Sequence, residues 1–576
     1  MGGLRSMTLG GALLVGACGR SQPPEPVDTA VVTVETASEG DSDVPEDSPA
    51  PTSPCEGVRP PTPAEAVPAT AVRYARRMVG AGGEHSCLFS EDLDRDGHVD
   101  VGWIDDDATL NLLWGQGAGA PLADRHVLEP GRVEDYGACT PIPNASGDGW
   151  DVLVSGAGAL YRLVQSTPRT FVDAGAIATM PDAMRQWGQR TSLVAPVDLD
   201  RTGPLDLIIG FYGLIGDACV SDAPTDTDQA VDPAWDHPGA AFCYVAQPDG
   251  SYALDDGALC PSPVLTSGVQ LPYSVAIHDF DGDGVLDAAI AVDFGVNTLL
   301  KGRPEGGFST WPSGHGFDVY NHAMGIGVSD FDLDGVADIF VSDIGVNDVY
   351  QGFGCGTWFR ANDVFGTVEA TKNVISWGVS TLDVDRNGAP DVFVPASLEL
   401  TSGFEQPLCN LEELGLPGPK GLQFLNTAGE AGRRLERVDV PLYDQPVLPG
   451  YFGEIRLTSA DLDEDGRPDF VLGTREGVVA LDNRIPSQGH WLRVRALGPQ
   501  GLPAYGAAVT VRTATGGGWW GTQWPGNGTS GHREMVVDVG LGAQDGPVSV
   551  EVRWPDGASV VLDDVAVDQR IDVAHP

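Results

Sequence analysis

Basic residues are scarce in this chain. Against 82 Asp and Glu stand 33 Lys and Arg, which leaves a formal net charge of −49. A surface of that sign repels phosphate backbones and anionic bilayers, which argues against nucleic acid and acidic lipid surfaces as partners. Catalytic signatures are missing as well. There is no G-x-S-x-G, no H-E-x-x-H and no P-loop. No C-x-x-C pair occurs, so zinc ribbons and thioredoxin-type redox chemistry find no support. Long apolar runs are absent too. The one near the start, through Leu13, Leu14 and Val15, is too short to span a membrane.

That run has another use. Arg5, the apolar stretch and Val15-Gly16-Ala17-Cys18 resemble a bacterial lipoprotein signal over residues 1–18, in which Cys18 is lipidated and becomes the first mature residue. An ordinary signal peptide or a mis-set start codon is the alternative. Residues 19–70 are rich in Pro, Asp, Glu, Ser and Thr, a composition that cannot bury enough apolar surface to fold, and read as a disordered spacer. Of nine cysteines, Cys18 aside, eight remain: Cys55, Cys87, Cys139, Cys219, Cys243, Cys260, Cys355 and Cys409. An even count in an exported chain favours disulfides, with at least one local bridge among Cys219, Cys243 and Cys260.

What the chain has in abundance is aspartate in a repeated setting, D-x-D-x-D-G-x-x-D. The loops begin at Asp92, Asn144, Asp198, Asp279, Asp330, Asp383 and Asp461, in steps of 52, 54, 81, 51, 53 and 78 residues. In Asp279-Phe280-Asp281-Gly282-Asp283-Gly284-Val285-Leu286-Asp287, the carboxylates at positions one, three, five and nine converge if the chain turns sharply at Gly284, which has no Cβ to obstruct it. All donors are oxygen and most are anionic. That set suits calcium, which accepts six to eight flexible oxygen ligands, better than magnesium. An EF-hand would need a glutamate at position twelve and flanking helices. These loops run instead into strand-like segments such as Asp338-Ile339-Phe340-Val341.

The candidate metal ligands are therefore Asp92, Asp94, Asp96 and Asp100; Asn144, Ser146, Asp148 and Asp151; Asp198, Asp200, Thr202 and Asp206; Asp279, Asp281, Asp283 and Asp287; Asp330, Asp332, Asp334 and Asp338; Asp383, Asp385, Asn387 and Asp391; and Asp461, Asp463, Asp465 and Asp469. Thr202 is a weak donor. The Asn144 loop is the poorest, because Asp151 arrives one residue early. A single such loop is as readily a plain Asp-Gly turn. Seven at near-regular spacing point to a repeat.

Each unit reads as a strand, the Asp loop, a second strand and a third after a turn. Blade-sized β units repeated in this way predict an all-β seven-bladed propeller over residues 71–482. Its last unit, with strands at 452–460, 468–473 and 477–482, is one strand short. Residues 71–78 are expected to supply the missing strand and close the ring, removing an exposed edge. Two enlarged units carry insertions at about 212–270 and 397–447, the places to look for partner specificity. After Asn483 come short alternating strands at 490–495, 507–511 and 548–554, which predict a small β-sandwich over 483–576.

Here the sequence resembles known families. His490-Trp491-Leu492, Gly506-Ala507-Ala508-Val509, Gly540-Leu541-Gly542 and Val552-Arg553-Trp554-Pro555-Asp556-Gly557 are similar to the ASPIC/UnbV domain. The Asp loops resemble FG-GAP/VCBS repeats, the calcium-loop blades also seen in integrin α-subunits. Together with Ala323-Met324-Gly325 and Ser376-Trp377-Gly378 they resemble the cartilage acidic protein-like proteins. The resemblance implies an extracellular calcium-binding protein of adhesion or recognition type, and no reaction.

The expectation is thus a calcium-binding protein of the bacterial cell envelope, lipid-anchored or else secreted, recognising an unknown protein or glycan ligand at the cell surface. It is not expected to be an enzyme. A polysaccharide-active propeller enzyme and a scaffold subunit of an exported complex are the alternatives. His315 and His322 are candidates for a metal or acid–base pair, although structural histidines are the plainer reading. Among the tryptophans, which include Trp114 and Trp377, the pair Trp519-Trp520 in its Gly-rich stretch is the candidate exposed recognition patch, with core or edge packing as its alternative.

Overall fold

The computed structural model describes residues 58–576 apart from 81–84, 106–108, 117–123, 129–136, 145, 157, 183–189, 213–238, 265–270, 400–418, 430–431, 443–454, 475–476 and 527–530. Cys18, the signal segment and most of the two insertions lie outside the described residues. So do Cys55, Cys219 and Cys409.

The chain is nearly all β. Among the described residues, seven antiparallel sheets each provide four strand positions, and each contains one Asp loop between its first and second strands. The fifth sheet shows the plan: Gly325–Ser329, Asp338–Ser342, Asp348–Gly352 and Trp358–Arg360 in consecutive order. Its second strand, Asp-Ile-Phe-Val-Ser, is buried at every residue, because neighbouring sheets cover both of its faces. Such β-branched and aromatic runs suit a strand packed on two sides. The first strand of each sheet neighbours the first strand of the next, and Arg456–Ala460 of the seventh returns to His85–Glu91 of the first. This cyclic packing is propeller-like.

Closure follows the expected route. Tyr74–Met78 pairs antiparallel with Gly477–Asn483, Tyr74 opposite Asn483, and becomes the outer strand of the seventh sheet. The Tyr74 hydroxyl donates to Gln423 Oε1 at 2.6 Å, tying the closing strand to the sixth sheet as well. Two disulfides reinforce the ring. Cys87–Cys139 joins the first strands of sheets one and two, and Cys243–Cys260 lies within sheet three. Cys355 is also disulfide-bonded.

The spacer expected to run to residue 70 ends earlier. The Ala64 backbone NH donates to Asn387 O at 2.7 Å and that of Val67 to Asp385 Oδ2 at 2.8 Å. The Val67 side chain is buried with Leu271, Trp377 and Leu457. Proline-rich composition forbids a helix or a central strand here, yet it permits an extended segment laid across a groove.

Beyond Asn483 the chain forms two facing sheets. One orders Val537–Gly542, His490–Ala496 and Gln569–Val573; the other Gly518–Gln523, Ala507–Arg512, Val548–Arg553 and Ser559–Val565. Leu492, Val494, Val509, Val511, Val539, Val550 and Val552 fill the space between them. This sandwich sends a segment back into the ring. Gly531–His532 pairs in parallel with Leu88 and Phe89 on the first strand of sheet one. Thr458 Oγ1 donates to His532 O at 2.7 Å, and His532 Nδ1 lies 2.9 Å from Thr140 Oγ1. Trp524 and Met535 pack among the first strands of sheets three and four. Trp524, Gly531, His532 and Met535 therefore sit where the first strands converge.

Candidate metal centres

Six of the seven loops, those beginning with Asp, share one backbone design. The glycine at position six is left-handed in each, from φ 82° at Gly466 to φ 100° at Gly203. Its NH donates to the first carboxylate: Gly284 to Asp279 Oδ2 at 2.8 Å, Gly388 to Asp383 Oδ2 at 2.7 Å and Gly466 to Asp461 Oδ2 at 3.0 Å. Position four is left-handed too, although it is usually not glycine. Arg95, Arg201, Leu333, Arg386 and Glu464 all have φ between 56° and 65°. That conformation costs roughly 1–2 kcal/mol at a residue with a Cβ, and its recurrence was not legible from residue type.

The ninth carboxylate is a strut. In each of the six, one oxygen accepts the backbone NH at position two and the other accepts an NH from the third strand. For Asp287 these are Phe280 N at 2.9 Å and Gly302 N at 2.7 Å; for Asp391 they are Val384 N at 3.0 Å and Asn426 N at 2.7 Å. The loop is thereby locked to its own sheet. Carboxylate oxygens of positions one, three and nine lie within 4.8 Å of one another in the groups Asp198-Asp200-Asp206, Asp279-Asp281-Asp287, Asp330-Asp332-Asp338 and Asp383-Asp385-Asp391. In the first loop the converging set is Asp92, Asp94 and Asp96. The position-five carboxylates of Asp283 and Asp334 stand outside their groups. In three of these loops the position-five side chain accepts the NH at position seven, Asp283 from Val285, Asp334 from Val336 and Asn387 from Ala389; in the Asp198 loop position seven is Pro204, which has no NH.

Crowding such groups in a poorly hydrated place is costly for their charge. Burial pushes Asp287 up to about 8, and Asp206 and Asp92 up to about 6. It holds Asp330, Asp338, Asp391 and Asp469 well above the usual carboxylate range. Asp92 Oδ1, Asp198 Oδ1 and Asp463 Oδ1 are buried with no hydrogen-bond partner. Buried oxygens of this kind require a donor or a cation. Oxygen-only donors, convergence and unpartnered buried oxygens together fit a hard metal ion.

The Asn144 loop differs. Among the described residues, Asp151 bonds outside the loop: Oδ1 accepts Gln165 N at 3.0 Å and Oδ2 takes Arg162 Nε at 2.7 Å. Ser146 Oγ donates to Asp148 Oδ1 at 2.5 Å, and Asn144 Nδ2 to the same oxygen at 3.1 Å. The polar groups of this loop satisfy one another.

The C-terminal sandwich reaches several loops with arginine. Arg493 is buried, with Nη1 3.2 Å from Asp461 Oδ2, Nη2 2.5 Å from Glu534 Oε2 and Nε 3.2 Å from Asp538 Oδ2. Burial raises Asp461 and Arg493 opposes it, leaving the carboxyl at about 6. Arg495 Nη1 lies 3.9 Å from Asp92 Oδ2. From the sixth loop, fully buried Arg386 pairs with Asp538 and donates to Gly466 O. Arginines alternating with Leu492 and Val494 were the available signal, a strand with one apolar and one basic face.

Trp519-Trp520 does not form an exposed patch. The pair lies in strand Gly518–Gln523; Trp519 is buried and donates from Nε1 to Gly388 O at 3.1 Å. Trp520 stacks on His278 with ring centroids 4.8 Å apart. Of the glycines around them, Gly516 makes the left-handed turn before the strand, at φ 90°, while a Cβ at Gly518 or Gly521 would meet Val511 O or the Val537 side chain. Trp114 and Trp377 are buried as well. His315 and His322 have separate surroundings: His315 is near Asp318 and Trp358, His322 near Asp293 and Phe294.

Comparison with known proteins agrees with this division. Residues 499–576 match the ASPIC and UnbV family model, and residues 279–341 match the FG-GAP-like repeat model. The chain is similar to cartilage acidic protein 1 of Xenopus tropicalis, at 25% identity over 290 residues, 49% of this chain and 42% of that protein. The match thus spans less than half the length of that relative. Similar solved structures include a lectin from Burkholderia pseudomallei, with TM-score 0.39, 14% identity and coverage of 69% of this chain and 95% of that one. Another is BBS1N crystallised in complex with ARL6DN, with TM-score 0.39, 12% identity, and 72% and 96% covered.

Proposed function

We propose that this chain is an extracellular calcium-binding protein of the adhesion or ligand-recognition type, in which calcium serves structure rather than chemistry. The observation that carries the reading is the convergence, loop after loop, of buried carboxylates with unpartnered oxygens beside them. The residues that would hold the ions are those at positions one, three and nine, with Asp96 in place of Asp100 in the first loop. Bound calcium would supply the positive charge that lets these carboxylates ionise together. The seven sheets would then act as one closed seven-bladed ring, pinned at each blade except the one with Asn144. The similarity to cartilage acidic protein 1 supports an extracellular setting, as do the disulfides, which persist in oxidising compartments. A lipid anchor at Cys18 in a bacterial envelope belongs to the same proposal.

The partner is proposed as a surface protein or glycan. The sandwich segment already occupies the convergence of the first strands, so recognition is assigned to the opposite ends of the sheets and to the insertions. A pull-down from envelope fractions with the mature chain tests this. One or more partners should be captured in calcium and released by chelator. Capture indifferent to chelator, or hydrolysis of a polysaccharide by the purified chain, would overturn the reading.

A further inference from the structure

The ends of the second strands opposite the Asp loops hold a different set of side chains. Asp293 ends strand Asp287–Asp293, and Asp343 follows strand Asp338–Ser342 in the next sheet. His322 precedes the first strand of that sheet. Asp293 and Asp343 are 4% and 5% exposed, while His322 keeps an opening to solvent. His322 Nδ1 lies 3.4 Å from Asp293 Oδ1. Both atoms are buried and neither makes a hydrogen bond. Asp343 Oδ2 accepts the His322 backbone NH at 3.3 Å. Beside them Asn321, 7% exposed, has both side-chain amide atoms without a partner.

The imidazole nitrogen and the carboxylate oxygen form an ion pair at a separation that one cation bound to both would also give. Their separation is close to that of two ligands each about 2 Å from one ion at a tetrahedral angle. The surroundings are dry on one side, since the Phe294 ring meets the His322 ring edge-on with centroids 4.4 Å apart. Neither Asp293 nor Asp343 has a Lys or Arg partner among the described residues. We propose that His322, Asp293 and Asp343 form a binding site for one divalent transition-metal cation of the zinc class, distinct from the Asp loops. The nitrogen donor separates it from them chemically, because imidazole suits zinc, copper or iron and not calcium.

The test is zinc titration of the full mature chain by calorimetry, with calcium in excess to fill the loops. One equivalent of zinc should bind, with affinity lowered more than about tenfold by His322→Gln and by Asp293→Asn. Cobalt titrated instead should give visible bands that vanish in the same variants. His98→Gln, which alters the only histidine within an Asp loop, should change neither. Melting in calcium identifies a variant that fails to fold; Asp343→Asn, close in shape to the native residue, then takes its place. Absence of zinc binding to the native chain, or affinity equal in the native and folded variant chains, would overturn the proposal.

Discussion

The loops at Asp383 and Asn144 occupy the same place in two sheets and have opposite surroundings. Every ligand-type residue of the first is buried, from Asp383 through Asp391, under the sandwich and the segment around Val67. In the second, Ser146 and Asp148 are exposed, and Ser146 bonds both Asp148 and Asn144. The difference traces to one residue of spacing. An aspartate at position nine points back under its loop and holds both loop and third strand; at position eight, as Asp151, it holds the third strand through Gln165 N and turns its other oxygen to Arg162. Only the former leaves carboxylates crowded, desolvated and in need of a cation. The same motif therefore yields an ion site or a plain turn according to where its last carboxylate falls.

The largest effect that separates the two is the response to chelation. In metal-free protein, burial raises Asp287 to about 8 and Asp206 to about 6 above an unfolded value near 3.8. The folded state then binds more protons than the unfolded state between those values. Stability of the chelated protein should consequently fall as pH rises from about 4 to about 8. Calcium, which binds the ionised native loops, should offset that fall. Melting temperature against pH, with and without chelator, checks this. Curves that coincide would remove the ion argument for the Asp383 type of loop.

Next in size is the roof. Arg386 is fully buried at position four of the Asp383 loop, against Asp538 and Gly466 O, with the Trp491 ring 5.9 Å away. Arg386→Ala leaves Asp538 beside Arg493 alone. It should cost about 3–5 kcal/mol in denaturant unfolding, the range for breaking a buried ion pair. A cost below about 1 kcal/mol would mean that the sandwich docks without this contact.

Much of this architecture was legible in the sequence, and for identifiable reasons. Asp-Gly loops followed by Ile, Phe and Val fix both the turn and the strand, so sheet order and the closing strand at Tyr74 could be expected from local pattern. Contacts between distant segments carry no such local mark. Trp519-Trp520 beside three glycines reads as an exposed turn until the Asp383 loop is placed against it. Val58 to Pro68 reads as a spacer because proline content reports what a segment cannot form, and not what it lies on. Likewise Asp293 and Asp343 each end an unremarked strand, and only the packing of adjacent sheets brings His322 between them.

A smaller effect isolates the strut itself. Asp391→Asn places an amide group against one of two buried backbone NH groups, from Val384 and Asn426. An unsatisfied buried donor costs about 1–3 kcal/mol. Asp151→Asn meets one backbone NH and Arg162, which lies nearer solvent, and should cost about 1 kcal/mol. The two should differ more in kind than in size. Asp391→Asn should shrink the change in melting temperature on chelation, and Asp151→Asn should leave it intact.

The smallest expected effect is a null with consequences. Asp148 is fully exposed, and its lowered pKa comes first from the Ser146 hydroxyl and then from Asn144. A carboxylate satisfied this way by neutral donors has no need of an ion. Asp148→Ala should leave melting in calcium and in chelator unchanged within error, whereas Asp281→Ala at the fourth sheet should lower the first and narrow the gap to the second. Should Asp148→Ala narrow that gap as well, the Asn144 loop would rank with the other six, and position nine would no longer be what distinguishes an ion site from a turn.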